Sequence, residues 1–135
     1  MQIILSREHR QVLINHAKKC TPSESCAILF GRMDLESCTV SDVFLAQNID
    51  GSPLSFTISN EELLEAYSLA EKKSLDVVGI FHSHPSSDAT PSSTDEKYMG
   101  INPVVWVIFS NKTGEMRGFI VDSEMKPETV GIVDG

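Results

Sequence analysis

His82 and His84 have the clearest capacity for chemistry in this sequence: they flank Ser83 at the end of the apolar run Val77-Val78-Gly79-Ile80-Phe81 and precede Pro85. A run this short and this free of polarity, bounded by Asp76 and the Pro85 loop, reads as a strand buried on both faces in an α/β sheet. Side chains alternate along a strand, so both imidazoles point one way and Ser83 the other. Pro85 biases His84 toward extended backbone and holds the second imidazole in strand geometry to its end. Two convergent imidazole nitrogens begin a metal site, and a third ligand has to return from elsewhere in the chain.

Asp95 is the nearest good candidate. The turn-rich segment from Ser86 to Pro91 predicts an exposed loop, and Ser92 to Met99 reads as a helix start, capped by Ser92 or Thr90, with Asp95 in the first turn. Two neutral imidazoles and one carboxylate are a borderline-hard donor set, which suits zinc with a fourth position open to water, the arrangement of a catalytic rather than a structural ion. Structural alternatives exist for each part. Ser92-x-x-Asp95 is close to a plain capping box, and His-x-His pairs occur on surface strands that hold no metal.

The combination is more specific than its parts. His82-x-His84-Pro85, six intervening residues, then Ser92-x-x-Asp95 resembles the signature of the JAMM (MPN-plus) metallopeptidases with the family's spacing intact. The resemblance implies a three-layer fold like that of the cytidine deaminases, a mixed central β-sheet flanked by helices, over one domain of residues 1–135. It also implies an upstream glutamate on an early strand, and Glu24 supplies it ahead of the apolar run Cys26 to Phe30 that Gly31 closes. Thr21-Pro22-Ser23-Glu24 could instead open a helix as a capping box, but a short, partly β-prone run stopped by glycine favours a strand.

On the resemblance, His82, His84 and Asp95 hold one zinc ion whose fourth ligand is water. Glu24 then acts as general base and acid, and Ser92 donates a hydrogen bond to the developing oxyanion. The implied reaction is hydrolysis of the isopeptide bond between the C-terminal glycine of a ubiquitin-like modifier and a lysine, by a stand-alone, prokaryotic-type member. An alternative with the same site is a peptidase that trims the C-terminus of a sulfur-carrier protein. A third reading is a metal-free scaffold that only binds partners, although such members are expected to have lost ligands that this chain retains. The His/Cys-x-Glu strand and Pro-Cys-x-x-Cys helix of zinc deaminases are missing, as is the His-Glu-x-x-His helix of the zincins.

The elements that must position these residues follow from the remaining patterning. Gln2 to Leu5 predicts a strand, and Ser6 caps a helix from about Arg7 to Lys19. The Glu24 strand pairs as a hairpin with Thr39 to Ala46, after a polar turn region from Arg32 to Cys38. Asn48 to Ser55 is rich in turn residues. Ser59 or Asn60 caps a second helix, Glu61 to Lys73, expected to present Leu63, Leu64, Tyr67 and Ala70 on one side. Beyond the Asp95 helix, Pro103 to Phe109 is the most apolar strand, with Trp106 and Phe109 in the core, and Met116 to Val121 pairs back from it across Asn111-Lys112-Thr113-Gly114. A short last strand spans Thr129 to Val133, with Asp134 and Gly135 expected to fray.

Composition bounds the function classes. With 135 residues, 41% of them hydrophobic, the chain can build one core. A net charge of −8 argues against nucleic-acid binding and mildly favours a basic partner or substrate surface. No apolar run is long enough to span a bilayer and the N-terminus lacks the pattern of a signal peptide, so a cytoplasmic location is expected, with no membrane partner. A homodimer is compatible with the sequence. Cys20, Cys26 and Cys38 form no Cys-x-x-Cys pair and are expected to be reduced. None has a partner histidine for nucleophilic work; His16 lies near Val12, Leu13 and Ala17 at helical spacing, as for packing on a helix face.

Overall fold

In the computed structural model, which describes residues 1–135, the elements run β1 (Gln2–Leu5), α1 (Arg7–Cys20), β2 (Cys26–Met33), β3 (Ser37–Ala46), α2 (Asn60–Lys72), β4 (Asp76–His84), α3 (Ser93–Ile101), β5 (Val105–Ser110), β6 (Met116–Val121) and β7 (Pro127–Asp134). All seven strands join one sheet in the order β1-β3-β2-β4-β5-β6-β7. Strand β1 runs parallel to β3 and β7, and β4 runs parallel to β5, while the other pairs are antiparallel. The chain is therefore α/β with a mixed sheet, and the hairpins expected for β2–β3 and β5–β6 are present.

The helices lie on both faces of the sheet, but the sheet is not an open central layer. It closes on itself, which corrects the expectation of a three-layer sandwich. Strand β7 is longer than the segment Thr129 to Val133 and pairs with β1 from Gln2↔Gly131 to Leu5↔Asp134, so Asp134 is held in a ladder instead of fraying. Strong local curvature permits closure. The ladder shifts register between Phe30 and Gly31, a bulge that bends its strand, and a Cβ at Gly31 would overlap the Thr39 carbonyl.

Three apolar clusters fix the helices. The interior of the closed sheet is filled by residues such as Ile3, Leu29, Phe81 and Val107, with Leu13 and Ala17 of α1 among them. On the outer face Ala66 and Ala70 of α2 pack on Ile28 and Phe30, and Met99 of α3 packs with Trp106 and Ile108. Of the face expected for α2, Leu63 and Ala70 pack against the sheet, whereas Leu64 and Tyr67 do not. Leu64 and Tyr67 are 73% and 59% exposed, because two alanines let the helix approach the sheet and turn these larger side chains outward. No helix is long and apolar enough to cross a membrane.

Helix α3 is the crossover between the parallel strands β4 and β5. Such a connection returns over the carboxyl end of the first strand, where open α/β units place their ligands. His82 and His84 occupy that end of β4.

Candidate metal centre

The three acceptor groups meet at one point. His82 Nε2 lies 3.2 Å from His84 Nε2, 3.1 Å from Asp95 Oδ1, and His84 Nε2 lies 3.0 Å from Asp95 Oδ2. All three residues are buried. A tetrahedral zinc with bonds of about 2.0–2.1 Å holds neighbouring ligand atoms roughly 3.3 Å apart, so this donor set fits such an ion in both spacing and chemistry.

Each arm is set by its element. His84 Nδ1 donates to the Asp88 carbonyl at 2.7 Å, an assignment that leaves the Nε2 lone pair facing His82 and Asp95. Phe56 stacks on His82 with ring centroids 4.9 Å apart, and Trp106 meets its edge at 5.9 Å. Ser92 is the N-cap of α3. Its hydroxyl accepts from the Asp95 N–H at 3.1 Å, and its own N–H donates to Asp95 Oδ2 at 2.9 Å. The capping box that offered a purely structural alternative is thus real, and it orients the carboxylate that reaches both imidazoles. The same aspartate closes the box and reaches both imidazoles.

Glu24 precedes β2 by two residues instead of opening it, yet the ladder register carries it to the site. Cys26 pairs with His82, and the Ser83 N–H continues the pairing by donating to the Ser25 carbonyl at 3.1 Å. One step further along an antiparallel ladder, Glu24 stands opposite His84 on the same face. Glu24 is 4% exposed, and its Oε1 has no hydrogen-bond partner. A cleft of about 280 Å³ opens here, lined by Glu24, His84, Ser92, Thr90 and Leu54 among others.

The electrostatics follow from burial and pairing. Burial, with help from Asp95 and Asp50 and against the pull of His84, pushes Glu24 up to about 8. Asp95 is buried too, but in the metal-free chain, where His84 can carry a proton on both nitrogens, hydrogen bonds from His82 and His84 outweigh that and hold it well below the usual carboxylate range. Burial lowers His82. His84 is raised, because Asp95 and the Asp88 carbonyl outweigh its own desolvation. Burial pushes the Cys26 thiol up to about 12 and Cys38 to about 11, and all three cysteines are free, so no thiolate nucleophile is available.

Four contributors were not legible in the sequence. Ser83 faces away from the imidazoles, as strand alternation requires, but its partner is Ser25: the Ser25 N–H donates to Ser83 Oγ at 2.9 Å, and the two hydroxyls lie 2.8 Å apart. This fully buried pair ties the strand carrying both histidines to the segment carrying Glu24. Ser83→Ala would leave the Ser25 amide without an acceptor and is expected to cost about 1–3 kcal/mol, read from the denaturant midpoint of metal-free protein; an unchanged midpoint would deny the pair a structural role. The Asp88 contact uses a backbone carbonyl, and Phe56 comes from a loop, so neither has a side-chain spacing to read. His16 does more than pack: its Nε2 lies 3.0 Å from the Cys26 carbonyl and 3.2 Å from that of Ala46, where β2 and β3 meet α1.

Comparison with known proteins bears on the same residues. The family model described as prokaryotic homologs of the JAB domain matches residues 6–122. The chain is 38% identical over 110 residues to a protein named desampylase from Pyrococcus furiosus, covering 82% of this chain and 75% of that one. It is 26% identical over 137 residues to a protein named CysO-cysteine peptidase from Mycobacterium tuberculosis, covering 98% and 92%. A solution structure of a protein from Desulfitobacterium hafniense superposes with a TM-score of 0.87 at 26% identity, covering 100% of this chain and 93% of that one.

Proposed function

The chain belongs to the family of prokaryotic homologs of the JAB domain, and from that membership we propose that it is a zinc-dependent isopeptidase that severs a ubiquitin-like modifier from its targets. The bond cut is the amide between the modifier's C-terminal glycine and a lysine side chain. One observation carries the reading: His82, His84 and Asp95 converge within bonding reach of a single ion, on a cleft whose wall holds the buried, unpartnered carboxyl of Glu24. The similarity to a protein named desampylase supports the substrate class.

Bound by His82, His84 and Asp95, zinc supplies Lewis acidity of the kind that brings the pKa of water from 15.7 to about 7. Glu24 accepts the proton of the attacking water. It then returns that proton to the departing lysine amine, the two duties of one group in amide hydrolysis. The Ser92 hydroxyl accepts from the Asp95 amide, which leaves its own proton free to donate to the carbonyl oxygen as negative charge develops. Phe56 and Trp106, packed on His82, exclude water from behind the ligands and sharpen these interactions.

Elemental analysis of purified, untagged protein is expected to find about one zinc per chain, removable by a chelator and restorable. The loaded protein should release the modifier from lysine conjugates and the stripped protein should not. Failure to bind zinc on add-back, or intact conjugates with loaded protein, would reject the reading. The similarity across 98% of the chain to a protein named CysO-cysteine peptidase favours a second reading, in which the same site trims the C-terminus of a sulfur-carrier protein. The leaving group is then an α-amine instead of a lysine amine, so paired linear and isopeptide substrates separate the two.

A further inference from the structure

Glu24 is held by its main chain. With Oε1 unpartnered, the carboxyl stays where the backbone puts it, and the backbone at Glu24 is gripped from one short segment. The Glu24 N–H donates to the Ser52 carbonyl at 2.8 Å, and the Asn48 side-chain amide donates to the Glu24 carbonyl at 3.0 Å.

The same amide organises the loop that follows. Asn48 Nδ2 donates to the Ser55 carbonyl at 2.9 Å and lies 3.5 Å from that of Ser52. Its Oδ1 accepts from the Asp50 and Thr57 N–H groups at 3.1 and 3.2 Å. That loop carries Leu54 to the cleft wall and Phe56 to the face of His82. Only a group offering two donors and an acceptor at this reach can do all of this. A carboxylate of the same shape keeps the acceptor and loses both donors.

We propose that Asn48 is a positioning residue for this hydrolysis, its carboxamide locking the Glu24 backbone and the Leu54–Phe56 loop into one rigid unit. The role rests on the proposed function only for its catalytic consequence; the clamp itself is a property of the chain. Loss of the donors lets Glu24 drift relative to His84, and a misplacement of about 1 Å is enough to cost roughly 100-fold in rate.

The test compares Asn48→Asp with Thr57→Val, which removes the Thr57 hydroxyl's bond to Asp50 at 3.1 Å and leaves the Asn48–Glu24 contact alone. In metal-free protein, amide hydrogen exchange at Glu24 should become at least about 10-fold faster in Asn48→Asp and stay within about 3-fold of wild type in Thr57→Val. Zinc stoichiometry should be unchanged in both. On a lysine conjugate, kcat of Asn48→Asp should fall about 10- to 100-fold with KM moving less than about 3-fold, and Thr57→Val should stay near wild type. Unaltered Glu24 exchange in Asn48→Asp would overturn the clamp. Faster exchange with unchanged kcat would overturn its positioning role, as would equal losses in the two variants. Wild-type protein that binds zinc and cleaves no conjugate would instead overturn the function proposed above, with the exchange data still deciding the clamp.

Discussion

Glu24→Gln is expected to keep its zinc and lose about 10²- to 10⁴-fold in kcat, the range that a positioned proton carrier contributes. The amide keeps the shape of the side chain in its buried niche but can neither take a proton from water nor return one to the amine. Single-turnover cleavage beside a zinc assay checks this, and a fully active variant would remove Glu24 from the chemistry. The substitution has a second, independent signature. Burial, reinforced by Asp95 and Asp50, raises this carboxyl from 4.5 to about 8 in the folded chain, whereas the unfolded chain ionises it near its ordinary value of about 4.3. A raised carboxyl favours folding fully only below the unfolded value, and that advantage drains away as pH climbs toward the folded one. Metal-free Glu24→Gln should therefore match wild type near pH 4.5, gain on it as pH rises toward about 8, and hold a constant lead above that. Thermal melts of stripped protein at both ends of that window read it directly, and a pH-independent difference would contradict it.

Asp95→Ala should lose zinc affinity by more than the 10- to 100-fold that removing a mere supporting bond to a metal ligand costs. Its two oxygens face both imidazoles, so the loss strips one donor and the negative charge that would offset the ion. The variant also leaves the Ser92 N–H without its acceptor, which should cost about 1 kcal/mol of helix capping. Asp95→Asn separates the effects, since a carbonyl oxygen can still accept from Ser92 while the charge is gone. Zinc titration should find both variants weak and chemical denaturation should find only the alanine variant loosened at α3; unchanged zinc content in Asp95→Ala would reject the ligand assignment.

The site was more legible than the barrel because its spacing is local. His82 and His84 are adjacent on one face of one strand, and Asp95 returns on the next helix, so alternation and capping rules reach all three. Glu24 came from resemblance, and only the extended β2–β4 register explains why a residue two positions ahead of a strand arrives opposite His84. Asn48 and the Ser25–Ser83 pair escaped notice because polar side chains in turns and on strands look alike until their partners are known. On α2, Leu63 and Ala70 face the sheet as the pattern predicts, and Leu64 and Tyr67 turn outward for a different reason. Leucine and tyrosine carry the larger hydrophobic signal, but close packing of a helix on Ile28 and Phe30 is satisfied by the small Ala66 and Ala70. Strand β7 has a weak local pattern because, besides its neighbour β6, it pairs with β1, the most distant strand in the sequence, and no local pattern announces such a pairing.

That distant pairing gives the last strand a disproportionate share of the chain's solubility. A ribosome delivers β7 after the other six strands, and until it docks, β1 and β6 both present unpaired amides and carbonyls. Open edges of this kind recruit strands from other copies. A chain shortened ahead of Pro127 would keep every residue of the proposed site and still be prone to self-association, so the seam between β1 and β7 guards against aggregation from a place remote in sequence from those residues.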